Sequence, residues 1–117
     1  MKASELTTVQ GFIVTPFPVL NETIGGIPFG KISEIAGSWS TGKSTMAYQI
    51  IAAAQESNHP CLLIDAERAY TQEYGMHMGI DNTKLDIFRA HTAEEYLDHV
   101  IEWVSDKKNK NGFVVVD

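Results

Sequence analysis

Gly37, four residues and then Gly42-Lys43-Ser44 satisfy the spacing G-x-x-x-x-G-K-[ST] in full, within the stretch "GSWSTGKST" from Gly37 to Thr45. Such a spacing can cradle phosphates for three physical reasons. Glycines let the backbone curl until successive N–H groups point inward as an anion nest. A helix beginning at Lys43 turns its positive dipole end toward the same point. Lys43 can then reach the β- and γ-phosphates, and the Ser44 hydroxyl can ligate Mg²⁺. Ser38, Trp39, Ser40, Thr41 and Thr45 complete the expected nucleotide-binding loop. Trp39 packs over a nucleotide or on a neighbouring subunit, or else shields the end of its own strand.

Hydrolysis requires carboxylates as well, one to orient or deprotonate water and one to hold the Mg²⁺ shell. "LLIDAERAY" supplies Asp65 and Glu67, and "FVVVD" supplies Asp117 at the end of an apolar run, the Walker B pattern. If the strand continues through Glu67, both acids of the first pair share one face. If the chain turns after Asp65, that residue caps the turn and Glu67 is free to face the γ-phosphate.

The elements that must position these groups follow from local pattern. "GFIVTPFPVL" is apolar but interrupted by Pro16 and Pro18, which predicts an edge strand or an extended arm. A short strand is expected at 32–36, ahead of the loop, and "MAYQIIAAAQES" follows it as a helix ending near Asn58. Its expected apolar face is Met46, Ala47, Ile50, Ile51 and Ala54. "CLLIDA" and "LDIFRA" read as strands, with a short helix between them broken near Gly79. "HTAEEYLDHVIEWVSDK" reads as a helix opened by a capping box, Thr92 with Glu95, and carrying a core stripe of Leu97, Val100, Ile101 and Val104. "FVVVD" is expected as a strand buried on both faces. Strands alternating with helices give parallel βαβ units and a three-layer α/β architecture.

The 117 residues suit one domain with a modest core. Nine basic against 15 acidic side chains leave a net charge of -6, the wrong balance for a domain that grips DNA unaided. No apolar run approaches the roughly 18 residues of a membrane span. "MKASELTTVQ" lacks the apolar centre of a secretory signal, so a cytoplasmic location is expected. Cys61 is single and expected to be a small buried residue, and His59, His77, His91 and His99 show no zinc spacing with it.

Taken together, "LNETIGGIPFGKISEIAGSWSTGKSTMAYQIIAAAQ", "CLLIDAERAYTQEYGMHMGID" and "GFVVVD" resemble the ATPase core of RecA-type recombinases, over Leu20 to Asp117. Phage-encoded members are one source such a sequence could have. The resemblance implies a RecA-like P-loop NTPase fold with a mostly parallel sheet, ending here after the Walker B strand. Residues 1–20 would be an N-terminal arm or edge segment, and 21–117 the nucleotide-binding βα units. It implies ATP and Mg²⁺ as cofactors, Gly37 to Thr45 around the triphosphate and Ser44 with Asp117 at the metal. Glu67 would activate the attacking water. Tyr74 matches the tyrosine that stacks on adenine in the family, although an ordinary half-buried tyrosine would read the same. Single-stranded DNA and self-assembly into filaments or rings are the implied partners, with no membrane.

Two positions depart from the family pattern: Thr71 stands where bacterial members carry an acid, and Arg68 directly follows Glu67. The family's DNA-binding loops lie beyond the Walker B strand, so weak or absent turnover is expected of these residues alone. Two other classes compete with the recombinase reading. One is a RecA-fold helicase or clock-type ATPase; the other is a non-catalytic nucleotide-binding module.

Overall fold

The computed structural model describes residues 1–6, 11–38 and 41–117. It contains, in order, β1 (Phe12–Ile13), α1 (Pro18–Ile24), β2 (Ile27–Pro28), α2 (Lys43–Glu56), β3 (Cys61–Ile64), α3 (Gln72–His77), β4 (Leu85–Phe88), α4 (Ala93–Ser105) and β5 (Phe113–Val116). Three parallel strands form the main sheet in the order β4-β3-β5, with Cys61 level with both Leu85 and Phe113. β1 and β2 make a separate antiparallel pair.

β3 is buried along its whole length, and its alternation divides the core. Cys61 and Leu63 pack with Tyr48, Ile50, Ile51 and Ala54 of α2, in a cluster that also takes in Ile13. Leu62 and Ile64 pack instead with Trp103 of α4, supported by Phe88, Tyr96 and Val100. An α/β fold with a parallel sheet is therefore observed as expected. α2 begins at Lys43, and its buried face includes the expected Ile50, Ile51 and Ala54 but centres on Tyr48. Met46 packs at the margin of that cluster.

Four expectations need correction. The stretch after Pro16 is helical from Pro18, because proline at the first helical position has the required φ and loses no needed N–H. Gly25 closes this helix in the left-handed region, at φ 88°. Residues 32–36 form no strand: Ile32 is fully exposed, and an extended run without a partner edge gains no ladder bonds. β5 is half-buried rather than buried on both faces, since it lies at the side of the sheet and Val116 is 69% exposed.

The fourth correction concerns α4. Leu97, Ile101 and Val104 are exposed, and Trp103 with half-buried Tyr96 and Val100 makes the contact instead. Periodicity defines an apolar face, and among the described residues only its Trp103 side meets the sheet. The helix start is as expected, with the Thr92 hydroxyl accepting from Glu95 N–H at 3.2 Å. The Glu95 carboxylate reaches back to the His91 N–H, one residue further than in a strict capping box.

Candidate functional site

Gly42 precedes α2 in the left-handed region, at φ 88°. At Gly37 a side chain would meet the Thr41 hydroxyl at 2.8 Å, so that hydroxyl would have to move to admit one. Thr41 donates to the Ser38 carbonyl at 2.7 Å, and Lys43 Nζ donates to the Gly37 carbonyl at 2.9 Å. The lysine thus folds back over its own loop with its ammonium exposed. Trp39 and Ser40 lie outside the described residues.

β5 brings Asp117 to the start of α2 across 73 positions of sequence. Ser44 Oγ donates to Asp117 Oδ1 at 3.0 Å. Tyr48, one helical turn further on, donates its hydroxyl to Asp117 Oδ2 at 3.1 Å. Burial first, and then the charge of Asp117 and the bond to it, push the Tyr48 phenol far above its usual range. It therefore remains a donor at any physiological pH. One carboxylate and one hydroxyl meeting at the start of α2 are hard oxygen donors. They suit Mg²⁺, which binds few protein ligands and takes its others from water and phosphate.

Glu67 follows β3 by three residues, in a turn, and its side chain is exposed. The turn is built by Asp65, which is buried and accepts from Ala69 N–H at 3.1 Å and Tyr70 N–H at 3.2 Å. Asp65 is thus a cap, and Arg68 takes the left-handed conformation at φ 57° inside its turn. Arg89, at the exit of β4, donates Nε to Asp65 Oδ2 at 2.9 Å and Nη2 to the Tyr70 carbonyl at 2.8 Å. Backbone bonds join this turn to Asp117: Asp117 N–H donates to Ile64 O at 3.0 Å, and Ala66 N–H donates to Asp117 O at 2.8 Å.

Tyr74 stands on α3, 36% exposed, where its hydroxyl pairs with that of Thr45. Its ring meets Tyr48 edge-on at 5.7 Å, and Tyr48 meets Tyr70 likewise at 5.4 Å. The fold therefore gathers Lys43, Ser44, Thr45, Tyr74 and Asp117 around the first turn of α2, with Glu67 on the adjoining turn. Tyr48 and Arg89 were not anticipated. A tyrosine four residues after Ser44 on an otherwise aliphatic face, and an arginine ending an apolar strand, are the signals that could have found them.

The chain matches the family model described as the RecA N-terminal domain over residues 18–117. It belongs to the RecA family. Among curated relatives, Protein RecA of Ureaplasma parvum serovar 3 (strain ATCC 27815) is 37% identical over 94 residues, covering 80% of this chain and 28% of the relative. Protein RecA of Helicobacter pylori (strain P12) is 38% identical over 94 residues, covering 80% and 26%. Protein RecA of Sulfurovum sp. (strain NBC37-1) is 43% identical over 75 residues, covering 64% and 22%. The chain spans about a quarter of the length of the RecA relatives it matches. All the candidate site residues, from Gly37 to Asp117, fall inside the span matched to the RecA model.

Proposed function

We propose that this chain is the ATP-binding part of a RecA-type DNA-dependent ATPase, a three-layer P-loop NTPase serving homologous recombination and DNA repair by strand exchange on single-stranded DNA. The observation that carries the reading is the meeting of Ser44 and Asp117 at the mouth of the phosphate loop. Residues so far apart in sequence converge where a nucleotide's metal belongs, and the family assignment supplies the biological setting.

In this reading the N–H groups of Gly37 to Thr45 hold the triphosphate, and Lys43 exchanges the Gly37 carbonyl for phosphate oxygens. Ser44 and Asp117 would hold Mg²⁺, which when bound neutralises charge on the transferring phosphoryl group. Glu67 orients and deprotonates the attacking water. Tyr74 offers its ring to adenine, a sequence-tolerant apolar surface. Residues 21–117 are the nucleotide-binding unit, with 1–20 as its N-terminal segment. Filament or ring assembly in the cytoplasm, and the grip on DNA, belong to the longer protein of which this acidic part supplies the nucleotide site.

Titration with a fluorescent ATP analogue in the presence of Mg²⁺ tests the assignment. Lys43→Ala is expected to weaken binding at least about tenfold, the scale of one lost charge-assisted bond to phosphate. Lys43 is exposed, so the variant should melt with the unaltered protein. Equal affinities for the two would overturn the nucleotide reading.

A further inference from the structure

Both donors to Asp117 come from one helix face. Ser44 and Tyr48 are four residues apart on α2, so they lie one above the other, and each takes one oxygen of the same carboxylate. Tyr48 lies in the core with Ile50, Ile51 and Ala54, where its hydroxyl is the polar atom of an otherwise apolar side chain. The hydroxyl is the feature that needs a purpose. Tyr48 is 1% exposed, and its ring is held edge-on by Tyr70 and Tyr74, so the phenol oxygen has little freedom to leave Asp117. Asp117, by contrast, follows an exposed residue at the end of a side strand, where a carboxylate with one partner could rotate.

We propose that Tyr48 is a positioning residue for the metal-side acid: its hydroxyl holds Asp117 Oδ2, keeping Oδ1 turned toward Ser44 and the Mg²⁺ of a bound nucleotide. This rests on the ATP-binding reading above. Tyr48 touches neither metal nor phosphate; it removes the rotational freedom that Asp117 would otherwise lose on capturing the ion. The effect therefore falls on the metal-coupled part of nucleotide affinity, whereas a packing defect would weaken binding with or without metal.

The test measures dissociation constants of the fluorescent ATP analogue in excess chelator and in saturating Mg²⁺, and takes their ratio. Tyr48→Phe and Tyr48→Leu are each expected to reduce the Mg²⁺-dependent gain about fivefold, the scale of one ordinary net hydrogen bond. Two hydroxyl-free side chains of different shape should give the same reduction. In an Asp117→Asn background, Tyr48→Phe should change the ratio no further. An unchanged ratio in either single variant, unequal ratios for Phe and Leu, or an effect that persists with Asp117→Asn would overturn the proposal. Lys43→Ala in the same assay keeps the two readings apart. If it binds like the unaltered protein, the nucleotide site itself is wrong; if it fails to bind while Tyr48→Phe keeps its ratio, only the role of Tyr48 falls.

Discussion

Asp65 shows how much one buried carboxylate can organise. It has no exposed surface, yet it takes two backbone N–H groups and the Arg89 guanidinium, and the turn carrying Glu67 hangs from those bonds. Leaving a buried acceptor short of partners costs about 1–3 kcal/mol. Arg89→Ala is expected to cost about 1–2 kcal/mol, the lower part of that range, because the arginine side chain is 38% exposed and water can replace some of its bond. Arg89→Lys should recover only part of it, since an ammonium cannot serve Asp65 and the Tyr70 carbonyl with one planar fork. Urea unfolding midpoints measure both; an alanine variant within experimental error of the unaltered protein would show that the backbone bonds alone hold the turn. The Asp65 cap was legible in sequence because Asp before a turn is a local signal. Its partner was not, because Arg89 lies 24 positions away and only strand register brings it level.

At the scale of elements, short-range chemistry read well and long-range geometry did not. Gly42-Lys43 set the start of α2, Thr92 set the start of α4, and Gly79 lies just past α3. α1 escaped notice because its seven residues begin at a proline and contain no fully buried position, so no period marks them. The 32–36 run failed for a different reason: a strand is a property of two segments, and local pattern describes only one. α4 makes the same point quantitatively. Leu97→Ser or Ile101→Ser should change stability by less than about 0.5 kcal/mol, as for other exposed positions. Trp103→Ala should cost about 3–5 kcal/mol, because that ring is buried against Leu62 and Ile64. Its indole N–H also bonds Asp86 at 2.7 Å. Comparable losses at Ile101 and Trp103 would mean that the helix buries the stripe expected from its periodicity.

For the molecule as a whole, the site and the core share the same central strand, so conditions that loosen one loosen the other. Alkaline pH is such a condition. Burial pushes the Cys61 thiol from 9.0 up to about 12, and it also raises Tyr70. Between those two values the unfolded chain gives up the thiol proton while the folded chain keeps it. The unfolded state is then favoured as pH rises. The contribution is fully present below pH 9 and is lost progressively toward about pH 12, with a limiting slope of about 1.4 kcal/mol per pH unit. Between about pH 8 and 10 the unaltered protein should therefore lose about 1 kcal/mol more than Cys61→Ala, as read from urea melts at each pH. Equal losses would place the alkaline weakness elsewhere.

The exit of the sheet has a kinematic consequence. Asp117 gives its N–H to Ile64 and its carbonyl to Ala66, so it is stitched to β3 on both sides of Asp65. A slide or tilt of β5 cannot carry Asp117 away without drawing the Glu67 turn along with it. The two acids therefore travel as one rigid caliper. The start of α2 meets them through Ser44, whose hydroxyl bonds Asp117 at 3.0 Å.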